Sequence, residues 1–309
     1  MTGTGAEHMR REPWTARVRR TNDVVDPAPI RALAALFDDG LPAPAAGEPL
    51  PALWHWAGLS RWSESGRTGP DGHPVRGSFL PPIDLPRRMF AGGEVEFHRA
   101  VTVGETVRQE SVVESVAEKR GRSGPLVVVT VATRIYAEHG PLAITEKQNL
   151  IYRESGPLSA AAPVARAAAE SSLVGAPLRF VADRTWDFVT DPVLLVRFSA
   201  VTSNTHRIHY DWPYATLIEG YPGLLVHGPL TSLALVETLR LQGLAGRIRR
   251  LRHRNLRPLF CAEPAQLRHT GQDEEPQRLE MHKHGEPDPC VRLDVEFSDA
   301  SFEEGNHEP

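Results

Sequence analysis

The stretch HGPLTSLALVETLRLQG, His227 to Gly243, reads as one long helix. Leu230, Leu233, Ala234, Val236 and Leu239 recur at helical spacing and build an apolar face. Pro229 suits the first turn, where a missing N–H costs nothing, and Gly243 suits the end. Downstream, RIRRLRHRNLRPLF, AQLRHTG, QRLEMHKHG and CVRLDVEFSD read as strands separated by turns.

The same order occurs in the first half. VDPAPIRALAALFDDG reads as a helix capped by Asp26, with Pro27 in its first turn, Gly40 at its end and a stripe of Ile30, Leu33, Leu36 and Phe37. Leu41 to Pro86 is rich in Pro and Gly and reads as mostly irregular, with an apolar anchor at Trp54 and Trp56. EVEFHRAV, TVRQESVVESVAEK, PLVVVTVATRIYAE and LAITEKQNLIYRE then alternate apolar and polar residues, as antiparallel strands do, with turns at Gly104, RGRSGP and EHGP. A helix followed by a meander of strands predicts a sheet wrapped around a helix, twice over. Between the halves, Gly156 to Ser172 is small, Ala-rich and Pro-punctuated, a linker composition. DPVLLVRFSAVT follows as a short helix capped by Asp191 with Pro192 at its first position. A local echo supports duplication: RAVTVGE places Arg99 six residues before Glu105, and RPLFCAE places Arg257 six before Glu263.

Composition narrows the function classes. With 309 residues, 40% hydrophobic and 24% charged, the chain has the make-up of a globular protein of roughly two domains. A net charge of −4 points to neither nucleic acid nor an anionic membrane. Two cysteines, Cys261 and Cys290, are too few for a disulfide framework, and the N-terminus has no apolar core of a signal peptide. A cytoplasmic location is the expectation.

Just before the long helix, SNTHRIHYDWPYA, Ser203 to Ala215, packs His206, His209 and Asp211 beside Tyr210, Trp212 and Tyr214. Such a group fits a catalytic loop, a metal site or a polar turn. Against metal, there is no Cys pairing and no HExxH, and the histidines of HKH, His282 and His284, fit a solvated strand face. The basic run from Arg247 to Arg257 alternates with Ile248, Leu251 and Leu256, as a strand with one polar face does.

FSAVTSNTHRIHYDWPYA with GLLVHGPLTSLAL resembles the hydratase motif of the MaoC-like (R)-specific enoyl-CoA hydratases. The closer resemblance is to two-domain hydroxyacyl-thioester dehydratases of type 2 and to mesaconyl-CoA and itaconyl-CoA hydratases. RRMFAGGEVEFHRAVTVGETV with EKRGRSGPLVVVTV resembles their N-terminal partner, the FAS1-like dehydratase domain.

The resemblance implies an α+β double hotdog: two curved antiparallel sheets, each around a long central helix. It divides the chain into an N-terminal hotdog (15–155) that shapes the substrate tunnel, the linker (156–172) and a C-terminal catalytic hotdog (173–300). The implied reaction is reversible hydration of an enoyl-thioester to an (R)-3-hydroxyacyl-thioester, with acyl-CoA or an acyl-carrier thioester as substrate and no cofactor or metal. A homodimer is compatible with the fold.

His209 matches the active histidine, and Gly228, opening the helix where backbone N–H groups are free, matches the oxyanion donor. Asn204 stands where simpler hydratases carry aspartate; an amide can hold water or orient a histidine but cannot act as a base. His206, Tyr210, His227 and Arg257 are candidate substrate contacts. Arg87, Arg88, Arg120 and Arg122 join the basic run as candidates for the CoA phosphates. The alternatives are a non-catalytic acyl-thioester binding protein and a hotdog thioesterase, whose carboxylate would be Glu237.

Overall fold

The computed structural model describes residues 14–121, 124–154, 175–270 and 276–298. Eleven strands form one antiparallel sheet in the order β1-β3-β4-β5-β2-β8-β11-β10-β9-β7-β6. The early strands are β1 (Arg19–Val24), β2 (Arg87–Phe97), β3 (Thr106–Gly121), β4 (Gly124–Ala137) and β5 (Leu142–Arg153). The later ones are β6 (Leu178–Ala182), β7 (Thr185–Phe188), β8 (Ile248–Asn255), β9 (Ala265–Thr270), β10 (Gln277–Lys283) and β11 (Pro289–Phe297). The two sets meet at a single seam, where β2 pairs with β8 from Gly92 opposite Arg254 to Glu96 opposite Arg250. Register shifts in β2, β3 and β11 insert the bulges that bend long strands.

The helices are α1 (Pro27–Phe37), α2 (His55–Gly58), α3 (Pro192–Val201) and α4 (Gly228–Leu241). The expected caps are present: Asp26 accepts from the N–H of Ala28, and Asp191 from that of Leu194. One correction concerns the end of α1. Asp38 is the C-cap (φ 46°), its N–H closing onto Ala34 O at 2.9 Å, and Gly40 (φ 86°) turns the chain two residues later. The α1 stripe and almost all of α4 are buried in one continuous core, together with Val95, Val107, Ile135 and Leu251. Trp54, fully buried, is the anchor expected of the irregular segment.

Strands β1, β6 and β7 were not expected. RRTNDV is polar except for Val24, and β6 is an edge strand with exposed Phe180 and Val181, so neither shows alternation; TWDF alternates, but over only four residues. The expected linker, 156–172, lies outside the described residues. The echoed turns are built alike in one respect: Glu105 accepts from Thr102 N–H and Glu263 from Phe260 N–H. Their arginines differ. Arg99 pairs with Glu105, whereas Arg257 turns to Glu286 at 2.6 Å and to Asp288 O. The basic run is a paired polar face, with Arg250 and Arg252 on Glu94 and Arg249 on Glu296.

Candidate active site

The site starts where α3 ends. Ser203 takes φ 51° and turns the chain back, so that Asn204 N–H reaches Ser199 O at 2.8 Å. The Asn204 Oδ1 then accepts the N–H of His206 at 3.1 Å, a local turn typical of Asn. A 3₁₀ turn, Arg207–His209, carries His209 inward. His209 is 6% exposed, with Nδ1 2.7 Å from Leu225 O. A carbonyl only accepts, so Nδ1 holds the hydrogen and Nε2 keeps its lone pair.

His209 stacks on His227, with ring centroids 3.6 Å apart and planes 17° from parallel. His227 is the residue before Gly228 and the start of α4. Its Nε2 lies 2.9 Å from Ser199 Oγ, and its buried Nδ1 has no hydrogen-bond partner among the described residues. Gly228 has no room for a side chain: a Cβ there would sit 2.6 Å from Asn255 Nδ2 and 2.9 Å from Phe90 Cδ1. Asn255 is itself tied to Phe90 O at 3.2 Å. The structure therefore gathers His209, His206, His227 and Gly228 around the N-terminus of α4, where backbone N–H groups and the helix dipole favour negative charge.

The early part of the chain also enters the site, which the sequence reading missed. The turn at Pro70–His73 docks on the His206 loop. Arg207 N–H donates to Asp71 O at 3.0 Å, and its guanidinium to Pro70 O at 3.0 Å. Thr205 Oγ1 donates to Gly72 O. Gly72 (φ 88°) must be glycine, since a Cβ would lie 1.9 Å from Thr205 O. This turn presents His73, whose ring centroid is 4.0 Å from that of His206, with Asp71 Oδ2 3.2 Å from His73 Nδ1. From β2, Arg87 crosses to Glu219 at 3.1 Å. The adjacent Arg88 is 8% exposed. An acid two residues before a histidine in a Gly-Pro turn was the available signal, but it is a weak one.

Burial keeps these imidazoles neutral. It pushes His209 down to about 3 despite the Leu225 carbonyl. Burial and then the Arg88 charge bring His73 to about 4. His206 and His227 also fall well below the ordinary range, first through burial and then through their neighbouring imidazoles. Burial works against the Asp71 carboxylate, but its hydrogen bonds to His73 hold it at about 2. Among the described residues, Asp71, His73 and His206 could hold a metal ion, with ligand atoms within 4.8 Å of one another. The Arg88 charge, close enough to depress both imidazoles, opposes a cation there. His282 and His284 lie instead beside Glu280 and Asp187.

Other expected contacts fall at the margin. Tyr210 is 42% exposed and donates to Thr205 O. Arg257 is engaged by Glu286, and Arg87 by Glu219, so Arg87 is not a surface phosphate ligand. Glu237 is buried against Trp54 and Arg240. A cleft of about 400 Å³ opens along the seam, lined by Ala91–Glu94, Thr130, Lys147, Asn149, His253 and Arg254. It adjoins Phe90, the residue packed against Gly228. No helix among the described residues is long and apolar enough to cross a membrane.

A paired helix-and-sheet fold with imidazoles gathered at the start of a buried helix is that of a hotdog protein with an acid–base site. The chain belongs to the hydroxyacyl-thioester dehydratase type 2 family, whose model matches residues 53–261. It is 42% identical over 227 residues to a mesaconyl-C(4)-CoA hydratase of Chloroflexus aurantiacus, covering 74% of this chain and 77% of that protein. Among solved structures, HtdX of Mycobacterium tuberculosis superposes with a TM-score of 0.60 at 19% identity, covering 90% of this chain and 99% of that one. A MaoC-like dehydratase from Phytophthora capsici gives 0.61 at 15% identity, covering 93% and 97%. The fold is a double hotdog, as the sequence implied, and the protein is an enzyme acting by hydration and dehydration of enoyl-thioesters.

Proposed function

We propose that the chain reversibly hydrates an enoyl-CoA to its (R)-3-hydroxyacyl-CoA, with His209 and Gly228 as the centre of the site. The observation that carries this reading is the tautomer of His209. With Nδ1–H on Leu225 O, its Nε2 lone pair is free to accept a hydrogen from the attacking water. As the water oxygen bonds to Cβ, the π electrons move onto the thioester oxygen. The Gly228 N–H, first in α4, stabilises that charge, and glycine lets the carbonyl approach the backbone.

Asn204 holds the His206 backbone and so shapes the loop; its amide can orient water but takes no proton. His227, fully buried and stacked on His209, would hold that ring in position, and a substrate contact would use its orphaned Nδ1. His206 and Tyr210 would border the acyl group, and Arg257 would lie towards the CoA end. The residues 15–155 would form the tunnel-shaping unit, joined through 156–172 to the catalytic unit 173–300. The seam cleft, with Lys147 and Arg254 on its wall, suits the pantetheine arm. Identity to the Chloroflexus enzyme supports a dicarboxyl-CoA such as mesaconyl-CoA as substrate, with itaconyl-CoA the alternative from the sequence resemblance.

Purified protein incubated with crotonyl-CoA, mesaconyl-CoA and longer enoyl-CoAs should remove the enoyl absorbance, and His209→Ala should abolish this. Binding without turnover would instead favour an acyl-thioester binding protein, and release of free CoA a thioesterase.

A further inference from the structure

Hydration takes one proton from water and delivers one to Cα, and the amide at position 204 cannot carry it. His209 also makes a poor proton store, because its hydrogen-bond partner is a neutral carbonyl rather than a carboxylate. A carboxylate hydrogen-bonded to an imidazole is what stabilises the imidazolium in acid–base catalysis. One such pair faces the site, Asp71–His73, and it comes from the early part of the chain.

The pair is preorganised. Asp71 Oδ1 accepts the His73 backbone N–H at 3.0 Å while Oδ2 lies 3.2 Å from the ring Nδ1. The turn is fastened to the His206 loop through Asp71 O, Gly72 O and Pro70 O. With Nδ1–H directed to Asp71, His73 presents Nε2 as an acceptor, the same tautomer as His209. The ligand atoms of Asp71, His73 and His206 lie within 4.8 Å of one another, and the His206 ring is 5.6 Å from that of His209, so the four groups form one continuous row.

Resting on the hydration reading above, we propose that Asp71–His73 carries the proton of the reaction while His209 holds the attacking water, the pair being supplied by the first half in place of an aspartate at 204. The attacking water donates one hydrogen to His209 Nε2 and the other to His73 Nε2. Its O–H bond to the second hydrogen breaks as oxygen bonds to Cβ, and His73 becomes an imidazolium held by Asp71. As the enolate collapses, His73 returns that proton to Cα. One water is added, the imidazole is neutral again, and no further reactant is needed. The charged and titratable groups near His73 are Asp71, His206, His209, Arg88 and Arg76; burial first, and then the Arg88 charge, keep it unprotonated at rest, ready to act as a base.

The test is steady-state hydration of crotonyl-CoA and mesaconyl-CoA by His73→Asn, which keeps a donor for Asp71, by His73→Ala and by Asp71→Asn. Melting curves and circular dichroism report folding. The expected result is a loss in kcat of about 10²–10⁴-fold for the His73 variants, with KM within threefold. Asp71→Asn should lose less and move the acidic limb of the pH profile to lower pH. Added imidazole should partly restore His73→Ala, which a merely structural role would not allow. If His73→Asn keeps activity within threefold while His209→Ala is inactive, this assignment falls and the hydratase reading stands. A parent inactive on every enoyl-CoA overturns both. Stoichiometric zinc, with activity lost to chelator and restored by zinc, also overturns it, because the metal would occupy the same lone pairs.

Discussion

Gly72→Ala tests the docking that joins the two halves of the site. An added Cβ would lie 1.9 Å from Thr205 O, which is backbone and cannot swing aside, and φ is 88°. The left-handed backbone costs an L residue about 1 kcal/mol. Relief of the clash must separate the turn from the 205–207 loop. That breaks the hydrogen bonds from Thr205 Oγ1 to Gly72 O and from Arg207 N–H to Asp71 O. Each contributes about 1 kcal/mol, giving a loss of roughly 3 kcal/mol in all. For a chain of this size that corresponds to a fall in Tm of roughly 5 °C. Because His73 moves with the turn, a displacement of about 1 Å should lower kcat by at least tenfold. Differential scanning calorimetry and the enoyl-CoA absorbance assay measure the two effects. A variant that melts within 1 °C of the parent (roughly 0.6 kcal/mol on the same scale) with unchanged kcat would refute the contact and the reasoning built on it.

Gly228→Ala should lose on the order of 10²-fold in kcat, since its methyl group displaces Asn255 and Phe90 from the mouth of α4; retained activity in the absorbance assay would remove Gly228 from the mechanism. Glu237 is raised to about 8, mainly by burial and then by Asp39, so the folded state holds a proton that the unfolded chain releases near 4.5. Stability should therefore fall as pH climbs between those values and level off above, and Glu237→Gln should remove the slope, melting higher than the parent at alkaline pH. His73, His206, His209 and His227 are shifted the other way, so the unfolded chain binds their protons first, near the ordinary value of 6.5. Stability should drop as pH falls below that point, by on the order of 1 kcal/mol per imidazole per pH unit, read from urea midpoints; a midpoint constant down to acid pH would contradict the buried neutral row.

Much of the architecture was legible in the chain because it rests on local chemistry. The caps at Asp26 and Asp191, the apolar stripe of α1, the helix from His227 to Gly243 and the alternation of the long strands each depend on residues within a few turns of one another. The polar edge strand β1 escaped notice because pairing, not pattern, makes it a strand. His209 and Gly228 were legible through their resemblance to a family motif, but not their geometry: stacking on His227 and the Leu225 carbonyl that sets the tautomer. Asp71 and His73 could be found only in three dimensions. Their turn has no periodicity, and it meets Thr205 across 133 residues of chain. A sequence states which side chains are available; only the folded backbone brings Asp71 and His73 against His206 of the other half.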